Sequence, residues 1–261
     1  MLLNHRRAGR FALGALVAGA ILLAVVAWSA TYPAVQDVDD GWRRLMLSVR
    51  TRPLVWVAEV FAFVGGVWVN WPLRVLAGVA LAVKRRWVQL SAFALAVVTS
   101  EALIGPLKAL YERPRPPEGL IATHTFSFPS GHAVAGAVTA VGLVLVLLPP
   151  GSRRWKWEVR AAVFASLRAL SRTYLSVHWL SDVLAGGLLG VGLAVGWPAL
   201  LQEIRDVRLP RRRARRTAEA EAAAGATGHG ATSGPAPGPP AIPGRPAPAS
   251  PHPSPPTGSG R

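Results

Sequence analysis

The stretch VQLSAFALAVVTSEALIGPLKALYERPRP, residues 88–116, decides the fold. From Val88 to Leu107 it is apolar apart from one charge, Glu101. About 20 such residues cross the hydrocarbon core of a bilayer as an α-helix. The run then meets Lys108 and a basic, proline-broken loop, Arg113-Pro114-Arg115-Pro116. A span with cations at its mouth predicts a helical membrane protein with an anion site at one membrane face.

Outward from that stretch, the apolar pattern recurs. Phe11 to Ala30 follows Arg6, Arg7 and Arg10 and reads as an uncleaved first span. A secretory signal is the alternative, but the run exceeds a usual signal core and Ser29-Ala30-Thr31 is a poor cleavage site. Residues 31–53 are polar, with Trp42, Leu45, Met46 and Val49 at helical spacing, which suggests a short interfacial helix. Leu54 to Val83 reads as one span bent at Pro72; counting it as two would move Lys108 to the other membrane face. Further spans are expected over His132–Leu148, Ala161–Val177 and Val183–Leu201. The expected fold is all-α, an integral membrane bundle of about six transmembrane helices over residues 1–205. Residues 206–261 are expected to form a tail, first basic and then rich in Pro, Ala and Gly and disordered.

Composition agrees: 51% of the 261 residues are hydrophobic and only 16% are charged. The formal net charge is +16, but the basic residues sit in clusters between apolar runs and in the tail. That pattern follows the positive-inside rule and argues against a nucleic-acid partner. With about six spans, the N-terminal arginines and the clusters at 84–86, 153–160 and 205–216 share one side, expected to be cytoplasmic. Both termini then lie in the cytoplasm of a multi-pass plasma (inner) membrane protein. Lys108, Arg113, Arg115 and Arg172 fall on the opposite, extracytoplasmic side, at headgroup level. The arginines at 211–216 either bind anionic lipid or serve only as a topology signal. There are no cysteines, which excludes disulfides and thiolate sites. With six histidines and few carboxylates within reach of them, neither a metal cage nor a cofactor is expected.

Three segments on the predicted outer face carry chemistry. His178 and Asp182 are four residues apart and share a face if both are helical. A carboxylate bonded to one imidazole nitrogen leaves a lone pair on the other, which suits a nucleophile toward phosphorus; a purely structural pair is the alternative. His132 opens an apolar run, with Ser130 as helix N-cap and Gly131 allowing close backbone approach. The N-terminus of that helix offers N–H groups to an oxyanion, and His132 is placed to protonate a leaving oxygen. Lys108, Arg115 and Arg172 supply the cations that a phosphoryl group in transit needs. Arg113 either joins them or, with Pro114, only shapes the loop. Glu101 and Arg168 lie deeper on the flanking spans. They are expected to pair beneath the site, or else to contact water in the pocket separately.

In this order and on one face, Lys108-x6-Arg115-Pro116, Pro129-Ser130-Gly131-His132 and Ser171-Arg172-x5-His178-x3-Asp182 resemble the type 2 phosphatidic acid phosphatase superfamily of membrane lipid phosphatases. The motifs cover residues 108–182, and the tail lies outside the resemblance. The resemblance implies a metal-independent phosphohistidine mechanism. His178 attacks phosphorus with Asp182 orienting it, and His132 is the acid and then the base. Lys108, Arg115, Arg172, Ser130 and the Gly131 N–H bind the phosphoryl oxygens. The implied substrate is a membrane lipid phosphate: a polyprenyl diphosphate, phosphatidic acid or phosphatidylglycerol phosphate. A vanadate-dependent haloperoxidase shares these motifs by analogy, but the spans argue against it. A non-catalytic lipid-phosphate carrier needs only the cations, not the oriented histidines.

Overall fold

The computed structural model describes residues 5–28, 32–149, 151 and 153–228, and every regular element among them is helical. In chain order these are α1 (His5–Ala27), α2 (Tyr32–Ser48), α3 (Arg52–Val64), α4 (Val67–Val83), α5 (Trp87–Tyr111), α6 (Gly131–Leu147), α7 (Arg154–Tyr174) and α8 (Leu180–Gly228). Residues Met1–Arg211 form one compact unit. In the second unit, Arg212–Arg261, the described residues are the helical ones up to Gly228.

Residues Arg7–Ala27 of α1, Trp87–Tyr111 of α5 and Leu180–Asp206 of α8 are long and apolar enough to cross a bilayer. The bent pair α3–α4 makes a fourth candidate. Large apolar side chains such as Phe11, Trp56, Trp68, Leu76 and Val98 point outward from these helices, as lipid contact requires and water would penalise. The chain is an integral membrane protein. The remaining two expected spans correspond to α6, apolar but only 17 residues long, and α7, which carries six charged residues between Arg154 and Arg172. Both helices bury residues within the bundle.

α6 is the centre of the bundle. Its run of Ala, Gly and Val lets neighbours approach closely, and it packs against α4, α5 and α7. Val134, Val138 and Val146 of α6 meet Phe93, Ala96 and Val97 of α5 and Leu193 of α8 in one core cluster. α8 presses its Gly186-x-x-x-Gly190 face onto α6. A Cβ at either glycine would sit 2.6 Å from a backbone oxygen, of Ser130 or of Val134. This approach brings the start of α8 against the start of α6.

Three boundaries differ from the sequence reading. The 54–83 region bends by 42° between α3 and α4, at Gly65-Gly66 rather than at Pro72. The Arg168 guanidinium packs where a Gly65 side chain would be, so any larger residue there would have to displace it, whereas Pro72 stays inside α4. α5 continues one turn past Leu107, so Lys108 is helical. α8 runs to Gly228 instead of ending near residue 205, in keeping with the strong helix-forming sequence Ala218-Glu-Ala-Glu-Ala-Ala-Ala224. The Pro-rich tail beyond Gly228 and the Ser29–Thr31 step lie outside the described residues.

Candidate active site

Two loops build the site: 112–130 after α5, and 175–179 between α7 and α8. α5 closes at Glu112, in the left-handed region with φ 43°, its N–H donating to Lys108 O. This turns Arg113-Pro-Arg-Pro toward the second loop. A backbone bond joins the two loops, Leu120 N–H to Leu175 O at 3.0 Å, and another ties the first loop to the start of α8, Ser130 N–H to Asp182 O at 3.0 Å. Trp179 Nε1–H donates to Pro114 O at 2.9 Å.

His178 precedes α8, and Asp182 sits in its first turn. Both are buried. Nδ1 of His178 lies 3.2 Å from Asp182 Oδ2, which also accepts the Trp179 N–H at 2.9 Å. With Nδ1–H donated to the carboxylate, Nε2 is left with its lone pair. Arg115 Nη1 lies 3.3 Å from that Nε2. Burial lowers the His178 pKa to about 4; Asp182 pulls it back up, and Arg115 and Arg172 push it further down. The ring is therefore neutral at physiological pH.

Arg115 is fixed by Val177 O at 2.6 Å and Thr125 O at 2.6 Å. Arg172 contrasts with it: it is buried at 4% exposure, and its Nε meets no hydrogen-bond acceptor among the described residues. Lys108 donates to Phe126 O at the end of α5. His132 stands in the first turn of α6, within the field of Arg172, His178, Arg168 and Arg115. Ser130 is the N-cap and accepts from Ala133 N–H at 3.4 Å. The leading N–H groups of α6, including that of Gly131, have no intrahelical partner. The predicted site residues Lys108, Arg115, Ser130, Gly131, His132, Arg172, His178 and Asp182 thus meet where α5, α6, α7 and α8 converge. No group of three or more metal-ligating side chains occurs among the described residues.

The supporting residues behave differently from expectation. Arg113 does not join the cations beside His178. It is buried, with Nη1 2.9 Å from Asp182 Oδ1 and Nη2 2.7 Å from Asp39 Oδ2. Asp39 also accepts Ser181 N–H at 2.8 Å and the Ser181 hydroxyl at 2.6 Å. Sequence reading missed Asp39; its only signal was a carboxylate on the buried side of an amphipathic helix. Glu101 and Arg168 do not pair. Glu101 bonds Arg74 at 2.7 Å, while Arg168 lies between Gly65 and Gly136 and donates to Gly65 O. Arg74 stands inside the apolar 54–83 run, where a cation at that depth signals a partner.

The sequence profile of the PAP2 superfamily matches residues 89–206. An undecaprenyl-diphosphatase from Sulfolobus acidocaldarius is 43% identical over 65 residues, 25% of this chain; the chain spans 29% of that protein's length. Phosphatidylglycerophosphatase B from Bacillus subtilis is 32% identical over 163 residues, covering 60% of this chain and 80% of that protein. Among solved structures, the transmembrane PAP2-type phosphatidylglycerolphosphate phosphatase from Bacillus subtilis superposes with a TM-score of 0.63 at 26% identity, over 76% of this chain and 96% of that one. Aquifex aeolicus LpxE shares the fold, with a TM-score of 0.50 at 24% identity over 60% of this chain and 92% of that one. A likeness of this extent and kind leaves one assignment: the chain belongs to the PAP2 superfamily of phosphate-ester hydrolases.

Proposed function

We propose that the protein is a metal-independent membrane lipid phosphatase working through a phosphohistidine at the extracytoplasmic face. The observation that carries this reading is the His178–Asp182 pair at 3.2 Å, with Arg115 3.3 Å from the other imidazole nitrogen and Arg172 close enough to act on the same ring: an imidazole oriented through one nitrogen, with cations beside the other. His178 Nε2 attacks phosphorus as the P–O bond to the leaving group breaks. His132 gives its proton to the leaving oxygen. Water then attacks the phosphohistidine, its proton passes to His132, and orthophosphate is released. Lys108, Arg115 and Arg172, with Ser130 and the Gly131 N–H, hold the equatorial oxygens, where most of the catalysis of phosphoryl transfer lies. The substrate is a phosphomonoester or diphosphate of a lipid, since a headgroup-level site meets that group in place. The family relationship supports this class, and the relatives' names point to undecaprenyl diphosphate and phosphatidylglycerol phosphate.

The test is phosphate release by detergent-solubilised protein in the presence of chelator. The panel holds undecaprenyl diphosphate, phosphatidic acid, phosphatidylglycerol phosphate and a soluble phosphomonoester. Chelator-resistant release, lost in a folded His178→Ala variant, is expected. Wild-type turnover in that variant, or release that needs added metal, would sink the mechanism.

A further inference from the structure

Asp39 belongs to α2, outside the residues 89–206 that match the family profile. It is nonetheless buried at 1% exposure, against the start of α8. Three donors converge on it. Ser181 N–H meets Oδ1 at 2.8 Å, and the Ser181 hydroxyl and Arg113 Nη2 meet Oδ2 at 2.6 Å and 2.7 Å. Ser181 is the second residue of α8, so its N–H is one of the leading donors that lack an intrahelical partner. A carboxylate from another helix takes that place, where the helix dipole favours negative charge.

The next residue of α8 is Asp182. Arg113 Nη1 donates to Ser181 Oγ at 2.7 Å and to Asp182 Oδ1 at 2.9 Å. Asp39 therefore reaches Asp182 by two routes, the backbone of Ser181 and the guanidinium of Arg113. α2 is itself tied down around the site. Trp42 Nε1–H donates to Thr173 Oγ1 at 3.0 Å, next to Arg172, and Arg43 Nη2 donates to Pro117 O at 3.2 Å in the 112–130 loop. One helix thus joins the end of α7, the first loop and the start of α8.

We infer that Asp39 is a positioning residue for the reaction: by capping α8 and holding Arg113, it fixes the Asp182 carboxylate that orients His178. It touches no reacting atom, and the inference rests on the phosphatase reading above. An asparagine at this position would turn amide N–H groups toward Arg113 or Ser181, donor against donor. The first turn of α8 then shifts, and a misplacement of about 1 Å can cost roughly 10²-fold in rate. Phosphate binding is spared, because none of the donors on Asp39 comes from Lys108, Arg115 or Arg172. Charge gives the effect a sign. The groups facing His178 are Asp182 of α8, Arg115 of the first loop, Arg172 of α7 and His132 of α6; those facing Arg113 are Asp39, Asp182 and the Tyr32 ring. Burial lowers the His178 pKa and Asp182 pulls it back up. Without Asp39, the Arg113 charge falls on Asp182 alone, that pull weakens, and the His178 pKa drops further.

The experiment measures kcat, KM and inhibition by orthophosphate for the full chain in detergent with chelator. The substrate is the member of the panel above that wild type turns over fastest. Asp39→Asn is expected to lower kcat about tenfold or more, with KM and phosphate inhibition within about twofold of wild type. Its acid limb is expected to move to lower pH, opposite to the shift expected for Arg113→Ala. Asp37→Asn, exposed on the same helix, is expected to leave every value within about twofold. If Asp39→Asn gives no folded protein, Ser181→Ala is read in its place. That variant removes the hydroxyl shared by Asp39 and Arg113, keeps both charges, and is expected to lower kcat severalfold at unchanged KM. A kcat within twofold of wild type in the variant read overturns the inference, as does a loss carried by KM and phosphate binding. An acid limb of Asp39→Asn that stays or moves upward does the same. All three leave the phosphatase intact. Absence of chelator-resistant release by wild type overturns the phosphatase reading, and this inference with it.

Discussion

Burial sets the acid–base character of His178, and the carboxylate beneath it sets its direction. Only the neutral ring carries a lone pair on Nε2. With its pKa lowered to about 4, the ring stays neutral through the physiological range. Logarithmic kcat/KM is therefore expected to show no His178 limb near pH 6.5 and to fall with unit slope as pH drops below about 4, measured on a substrate soluble at that pH. A limb near the ordinary histidine value would contradict this. Asp182 is in turn held by Arg113, whose fork fills Oδ1 and leaves Oδ2 to the imidazole. Removing that guanidinium would strand Asp39 and Asp182 as buried carboxylates without their cation. Losing one partner of a buried pair costs about 3–5 kcal/mol. Arg113→Ala is thus expected to lower the melting temperature and, by leaving Asp182 less neutralised, to move the acid limb upward. Lysine lacks the fork and should rescue only part of either effect. A limb that does not move would reduce Arg113 to a structural brace.

At the scale of elements, the site depends on how closely α8 seats on α6. Asp182 opens α8, and Ser130 and His132 open α6. Misplacing reacting groups by about 1 Å can cost roughly 10²-fold in rate. A Cβ at Gly186 would lie 2.6 Å from Ser130 O, whereas one at Gly187 meets nothing within 4 Å. Gly186→Ala is therefore expected to reduce kcat/KM at least tenfold, and Gly187→Ala to leave it within twofold. Equal effects would argue against the contact. The same comparison explains what was legible beforehand. Lys108, Arg115, His132, Arg172, His178 and Asp182 were readable because their chemistry and spacing are local, and apolar run length announced the helical bundle. Partner choice was not readable. Whether Glu101 meets Arg168 or Arg74 depends on the rotation and crossing of helices, which no local spacing encodes. The bend at Gly65 escaped for the same reason: the side chain packed against it is Arg168, more than a hundred residues away. Asp39 reaches the site only because α2 folds back over the loops, where Trp42 Nε1–H also donates to Thr173 at 3.0 Å.

For the molecule as a whole, the number of crossings decides which face of the membrane carries the site. Four candidate spans meet length and apolarity; placing the basic 153–160 cluster on the cytoplasmic side also requires α6 and α7 to cross. α7 is the difficult case, because it carries arginines where lipid would be. Arg168 and Arg172, however, are buried against protein, and buried charges at depth are tolerated in a bundle interior when they line a cavity or find a partner. Six crossings put Lys84, Arg85 and Arg86 on the basic, cytoplasmic side and the 112–130 loop on the other. The chain contains no cysteine, so single cysteines can report this without background. Ala122 and Lys84 are both exposed and lie in the two loops that bracket α5. In right-side-out vesicles, a membrane-impermeant maleimide is expected to label Ala122→Cys directly and Lys84→Cys only after permeabilisation. The reverse pattern would invert the orientation and place the catalytic face in the cytoplasm. Labelling of both without permeabilisation would show that α5 does not span.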